Sequence, residues 1–211
     1  APGNKSERGE ATIRGILSYT GKRFLVFKNG FWISAYGWMD PRHLDFGGII
    51  GKRWMANVNV PDLELFPDRY NVAGAVRFQA SLELPFLHLT MVGMAALAKW
   101  RLIRNWSSLT RPIVHTSKLF KSFGTDKGAM QVEIKGSDTE GKYKQVKWTL
   151  YALNGVGPYI PTLSAIIIAE KLISGELNTA GATPCLGLYS MSDFKPYADE
   201  LGIHVDESVS G

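Results

Sequence analysis

The stretch GAMQVEIKGSDTEGKYKQVKWTLYAL, residues 128–153, alternates apolar and polar side chains on both sides of a short polar segment. The apolar positions are Met130, Val132 and Ile134 in the first half, and Val146, Trp148 and Leu150 in the second. A period of two predicts half-buried strands. The polar segment between them predicts an antiparallel hairpin with these six side chains facing inward.

Three further segments with strand composition precede this hairpin, at residues 23–30, 31–38 and 75–84. Asn29-Gly30 lies between the first two, and this dipeptide is a strong signal for a two-residue hairpin turn. Residues 75–84 alternate strictly, which predicts a half-buried strand with Leu82 facing inward and with Ser81 and Glu83 facing solvent.

Helices are predicted at residues 86–106, 116–124, 161–174 and 192–201. Pro161 suits a first helical turn, Gly175 suits the position after a helix end, and Ser192 suits an N-cap. Because these helices do not alternate regularly with the strands, the pattern favours an α+β fold. We expect a mixed, mostly antiparallel sheet with helices packed on one face.

The composition is that of an ordinary globular protein, expected to form a single domain over residues 1–211. The only cysteine, Cys185, excludes internal disulfides, and no histidine or acidic residues have metal-ligand spacing, so no metal is predicted. The net charge of +5 is spread along the chain, and no nucleic-acid partner is predicted. No signal peptide is present and the longest apolar run, residues 84–98, is too short to span a bilayer, so a cytoplasmic location is expected.

The turn Gly155-Val156-Gly157 lies between a predicted strand and a predicted helix, as in a dinucleotide-binding site. The third small residue of that fingerprint is replaced by Ile160, and no acidic residue follows about 20 positions later, so a cofactor site is rejected here. Two interpretations stay open. The glycines form a tight turn, or the turn approaches an anionic ligand such as a carboxylate, with Asn154 and Tyr159 adding polar contacts.

Residues 147–194 resemble the C-terminal domain of saccharopine dehydrogenase-like oxidoreductases. The family pattern is a strand, a Gly-x-Gly-Pro turn, a proline-led helix, a glycine turn and a GAxPCxG segment. The matching positions are Gly155, Gly157, Pro158, Pro161, Ala169, Leu172, Gly175, Gly181, Ala182, Pro184, Cys185 and Gly187. Weaker likeness extends back to about residue 22.

This resemblance implies a substrate-binding and dimerisation domain with the fold of a dehydrogenase C-terminal domain. Family members carry an N-terminal Rossmann domain that binds NAD or NADP, and these 211 residues contain none. The chain is therefore expected to be the C-terminal part of a larger oxidoreductase, with no cofactor of its own. In isolation it is expected to be inactive. The expected partners are the missing Rossmann domain, a small-molecule substrate and a second copy in a homodimer.

Individual residues give weaker indications of a catalytic or binding role. Arg53, in a glycine-rich stretch expected to be a loop, is a candidate partner for a substrate carboxylate, although a surface position is favoured. The histidines, His43, His88, His115 and His204, have no partner acid by spacing, so no catalytic residue is assigned. Asp62 and Glu64 are expected on a solvated strand edge, and Cys185 as a buried, inert thiol.

Residues 99–106, KWRLIRNW, combine cations with two tryptophans. A helix of this composition can lie on an anionic membrane surface. Packing of Trp100 and Trp106 against the sheet or a dimer partner is the favoured interpretation. The alternative function is a stand-alone ligand- or lipid-binding module, in which an antiparallel sheet and a long helix enclose an apolar molecule.

Overall fold

The computed structural model describes residues 1–6 and 9–211. The chain folds as two compact units, Ala1–Thr125 and Asp126–Gly211, and each is described by itself. The interpretation of residues 1–211 as one substrate-binding and dimerisation domain stays a prediction.

The predicted α+β class is confirmed, because helices and antiparallel sheets both build the chain. The strands form three small sheets, with the orders β1-β2, β3-β4-β5 and β6-β7-β8, rather than one continuous sheet. All pairs within these sheets are antiparallel. Among the described residues, no helix has both the length and the apolar character needed to cross a bilayer.

The described residues of the first unit, 1–6 and 9–125, form four α-helices and five strands. They are α1 (Glu10–Tyr19), β1 (Arg23–Lys28), β2 (Phe31–Tyr36), β3 (Arg42–Asp45), β4 (Lys52–Asn57), α2 (Asp62–Arg69), β5 (Gln79–Ala80), α3 (Pro85–Lys99) and α4 (Thr110–Lys118). Short 3-10 helices span Trp106–Leu109 and Lys121–Phe123. The buried core of this unit is Leu17, Trp38, Ala56, Val58, Met91 and Ala95.

The hairpin predicted at Asn29-Gly30 is confirmed. Lys28 pairs with Phe31 across the turn. Asn29 and Gly30 both have left-handed backbone angles, with φ of 52° and 79°. That combination matches the right-handed twist of the two flanking strands.

The strand predicted over residues 75–84 is wrong in extent, since only Gln79–Ala80 pairs with β4. Earlier in the segment, the Val76 N–H donates to the Phe27 carbonyl of β1, so the segment leaves one sheet and joins another. Ser81 and Glu83, expected to face solvent, are buried. Their burial depends on polar partners that alternation along one strand does not reveal.

Helix α3 ends at Lys99, whereas the sequence predicts a helix through Trp106. The Leu102 N–H donates to the Leu97 carbonyl and the Arg101 N–H to the Ala98 carbonyl, which is the Schellman pattern of a helix end. Arg101 occupies the left-handed position of this motif with a φ of 61°. Because glycine normally signals that position, the sequence contains no recognisable stop.

Other local expectations are also corrected. Asp62 and Glu64 lie in the first turn of α2, not on a strand edge. The helix predicted at residues 116–124 lies earlier, as α4, and α1, β3 and β4 are additional elements.

The second unit consists of a three-stranded sheet and two helices. The elements are β6 (Gly128–Ser137), β7 (Tyr143–Ala152), α5 (Ile160–Ile173), α6 (Met191–Glu200) and β8 (His204–Ser210), with a 3-10 turn at Gly157–Tyr159. The predicted β6–β7 hairpin is confirmed, with Val132 opposite Trp148. The core joins Leu150 and Ala152 to Leu163 and Ile167 of α5 and to Phe194 and Ala198 of α6.

The inward position expected for the β6 side chains is wrong. Met130 and Val132 are 43% exposed, and Ile134 is 64% exposed. The two helices pack at the Leu150 end of this sheet face, so the other end stays open. Helix α6 begins with a capping box between Ser190 and Asp193, so the N-cap is Ser190 and not Ser192.

Candidate functional site

The turn after β7, in the second unit, is formed by Asn154-Gly155. Both residues have left-handed φ angles, 57° and 74°, and the Val156 N–H closes the turn on the Leu153 carbonyl. A Cβ added to Gly157 would meet only Ala152 Cβ at 3.9 Å, an ordinary contact. The tight turn therefore requires Gly155 but not Gly157.

Few backbone donors are open where this turn enters α5. The Tyr159 N–H donates to the Val156 carbonyl, and the Ile160 N–H to the Gly157 carbonyl. Pro161 has no N–H to offer. Asn154 and Tyr159 are exposed, so the predicted role of Asn154, Gly155, Gly157 and Tyr159 in ligand binding rests on their side chains and stays a prediction.

Arg53 belongs to the first unit, on strand β4, so the expected loop position is wrong. Its guanidinium donates to Glu83 Oε1 at 3.2 Å and to the Glu83 backbone carbonyl at 3.3 Å. The side chains are 16% and 5% exposed. Arg53 is thus committed to an internal ion pair, and its role toward a substrate carboxylate stays a prediction.

The Glu83 carboxylate accepts further hydrogen bonds. Its Oε2 accepts from the backbone N–H of Asn4 at 2.5 Å and of Thr125 at 2.8 Å, and its Oε1 accepts from Thr125 Oγ1 at 2.7 Å. Burial raises the pKa of Glu83, but these hydrogen bonds and the Arg53 charge outweigh it and hold the pKa below its ordinary value. The cluster joins both ends of the first unit.

A cavity of about 800 Å³ opens in the first unit among α1, α3 and α4. Its apolar lining includes Ile13, Ile16, Met91, Met94, Leu109 and Ile113. Lys118 and Lys121 also line it. An apolar body with a cation, Lys118, at the lining suits a small molecule with a long apolar part and a negative end.

His88 is on α3, next in sequence to the lining residue Leu87, and is fully buried. Its Nδ1 accepts from the Leu82 N–H at 3.4 Å, and its ring packs edge-on against Trp38 at 5.6 Å. The Nε2 atom is buried without a hydrogen-bond partner among the described atoms. Burial lowers the pKa of His88 to about 4, so the imidazole is neutral at neutral pH.

We expect His88 to make the first unit acid-sensitive. The folded pKa of about 4 lies below the ordinary 6.5, so the full stability is present above pH 6.5. It falls by up to about 3 kcal/mol as the pH drops to 4, because only the unfolded chain takes up the proton there. Urea titrations of His88→Leu across this window should show a flatter pH dependence. His115→Gln, at an exposed histidine of α4, should keep the wild-type slope; equal slopes in all three proteins would refute this role.

The remaining candidates do not form a site. His43 stacks on Trp54 with ring centroids 3.7 Å apart, and His204 is exposed on β8. Cys185 is exposed, so the expectation of a buried thiol is wrong; its segment between α5 and α6 contains no helix or strand. Within residues 1–6 and 9–211, no three His, Cys, Asp or Glu side chains are grouped to hold a metal ion.

No family model matches the chain, and no curated protein matches its sequence. The likeness to saccharopine dehydrogenase-like oxidoreductases therefore rests on the residues quoted above.

The sequence alone does not predict the cavity. One signal was present, since Ile13, Ile16 and Leu17 have the three-and-four spacing of an amphipathic helix face. All three line the cavity from α1. The distance in sequence between α1 and α4 hides the fact that their apolar faces enclose a common space.

Proposed function

We propose that the chain is the substrate-binding and dimerisation part of a saccharopine dehydrogenase-like, NAD(P)-dependent oxidoreductase. The observation that carries the substrate-binding role is the cavity of the first unit, whose volume and apolar lining suit a small molecule. Lys118 at the lining favours a substrate with an anionic end. The cavity does not depend on Arg53, whose guanidinium is paired with Glu83, and contact of Arg53 with a substrate carboxylate stays a prediction.

The oxidoreductase part of the proposal rests on the Gly-x-Gly-Pro and GAxPCxG residues, which lie in the β7–α5 turn and the loop before α6. On this proposal NAD or NADP is bound by a Rossmann domain in the same protein, and a homodimer forms through this chain. The chain alone is inactive, since it supplies no cradle for the nicotinamide. A cytoplasmic location belongs to the same proposal.

The binding role predicts that 11-(dansylamino)undecanoate, a fluorescent fatty acid, binds the full chain with saturable fluorescence. Ile113→Trp, which narrows the cavity with a bulky ring, should weaken binding at least about tenfold, a loss of about 1.4 kcal/mol. Ile173→Trp, at a side chain 87% exposed in the second unit, is the matched control and should bind like the wild type. Thermal unfolding checks that both variants fold. Absence of saturable binding, or unchanged binding by Ile113→Trp, would argue against the cavity as the site.

A second candidate is a stand-alone module that carries a lipid or another apolar ligand, and the same cavity favours it. The reading frame upstream of Ala1 distinguishes the oxidoreductase from the stand-alone carrier. A strand, a Gly-x-Gly-x-x-Gly turn and a helix encoded there support the oxidoreductase, whereas a natural protein lacking them supports the carrier. Micromolar NAD(P) binding by this chain alone would contradict the oxidoreductase proposal. Mass spectrometry of lipids extracted from the purified chain identifies a carrier's cargo.

A further inference from the structure

The loop that follows α3 presents apolar side chains to solvent. Trp100 and Leu102 are each 69% exposed. At the tip of a loop these large apolar side chains have few neighbours to contact. The left-handed Arg101 between them and the two helix-end hydrogen bonds hold this loop in one conformation. Exposure of both side chains is therefore built into the end of the helix.

Trp106 behaves differently from Trp100, although both were expected to pack against the sheet or a partner. Trp106 is half-buried against the core, and its indole N–H donates to the Met94 carbonyl at 2.8 Å. The packing interpretation thus holds for Trp106 within this unit and fails there for Trp100. Only the first part of the KWRLIRNW stripe is free to meet another surface.

Four cations belong to this part of the unit: Lys99, Arg101 and Arg104 are close in sequence to the two exposed side chains, and Lys22 is hydrogen-bonded to the loop. Lys22 Nζ donates to the Arg104 backbone carbonyl at 2.6 Å, which ties the start of β1 to this loop. Lys99 Nζ lies 4.7 Å from the centre of the Tyr36 ring. In the described part of the chain, none of the four forms an ion pair with a carboxylate.

The exposed apolar surface continues along α3. Phe86 and Leu89 are each 46% exposed, and their spacing from Trp100 places all three on one side of the helix. Met91 and Met94, which line the cavity, lie on another side. The helix thus has an inner face for the cavity and an outer apolar stripe that ends among cations.

We propose that this surface, formed by residues 99–104 with Lys22 and the outer stripe of α3, docks on an anionic membrane. A tryptophan suits the bilayer interface, and an exposed leucine beside it suits the acyl boundary. The cations complement anionic headgroups, and no paired carboxylate opposes them. The attachment is peripheral, because α3 is too short to span the bilayer.

The test is co-sedimentation of the full chain with vesicles. We expect binding to vesicles with about one-third phosphatidylserine in phosphatidylcholine, and much weaker binding to phosphatidylcholine alone. Trp100→Ser/Leu102→Ser should lower the vesicle-bound fraction at least about tenfold in partition coefficient. Ile49→Ser/Tyr70→Ser, at side chains 64% and 57% exposed in the same unit, is the matched control and should bind like the wild type.

A second variant tests the contribution of the cations to membrane binding. Arg101→Gln/Arg104→Gln should weaken binding to the anionic vesicles and reduce its dependence on salt, while Trp100 and Leu102 stay in place. Equal binding to both kinds of vesicle, or no binding to either, would overturn the proposal. So would a dimer, or a gel shift of single-stranded DNA, that is lost in Trp100→Ser/Leu102→Ser without vesicles, because the surface would then serve a second copy or a nucleic acid.

Discussion

Glu83→Ala should lower the free energy of unfolding of the first unit by about 4 kcal/mol, the cost of breaking a buried ion pair from one side. The substitution leaves the Arg53 guanidinium without its carboxylate in a largely buried position. It also removes the acceptor for the backbone N–H groups of Asn4 and Thr125. The alanine side chain offers no acceptor for these three groups, so the loss of their contacts lowers the stability of the folded state.

Glu83→Gln tests the contribution of the negative charge alone, because the shape of the side chain is kept. It keeps the volume and one acceptor oxygen, and should cost about 2 kcal/mol. Glu10→Gln is the control, because Glu10 pairs with Arg14 at the surface and should contribute about 0.5 kcal/mol or less. Urea unfolding followed by tryptophan fluorescence reports mainly on this unit, since Trp148 is the one tryptophan outside it. A cost for Glu83→Ala as small as that for Glu10→Gln would show that the cluster does not stabilise the fold.

Gly21→Ala should destabilise the first unit by about 3 kcal/mol, combining left-handed strain with overpacking. Gly21 has a φ of 71°, and a Cβ there would lie 2.4 Å from the Ala95 carbonyl oxygen and 2.6 Å from Ala98 Cβ. Both atoms belong to the last turns of α3, so a methyl group must push the β1 segment away from the helix. Differential scanning calorimetry of the full chain should show a lower Tm.

Gly93→Ala, within the helix that Gly21 contacts, should have the opposite effect on stability. A Cβ at Gly93 has no neighbour within 4 Å, and the residue is exposed inside α3. Alanine there should stabilise the unit by about 0.5–1 kcal/mol, because it restricts the unfolded backbone. A Gly21→Ala protein as stable as Gly93→Ala would mean that the approach of Gly21 to α3 is looser than the structure has it.

Much of the local structure was predictable, because short-range rules governed it. The Asn29-Gly30 turn, the alternation of residues 128–152 and the Pro161-led helix each depend on neighbours close in sequence. The candidate site was less predictable. Arg53 and the Asn154–Tyr159 stretch were singled out as potential ligand contacts, but the cavity is built by side chains of α1, α3 and α4 that carry no chemical motif.

The sequence by itself determined the α+β class and the positions of the two hairpins, because alternation and turn propensity act within a few residues. Only the tertiary structure decided that Glu83 is buried, since its partners Asn4 and Arg53 lie 79 and 30 residues away. It also decided where α3 ends and which of Trp100 and Trp106 stays exposed. A side chain's free energy of burial depends on the groups that surround it in space, and alternation in sequence does not specify those groups.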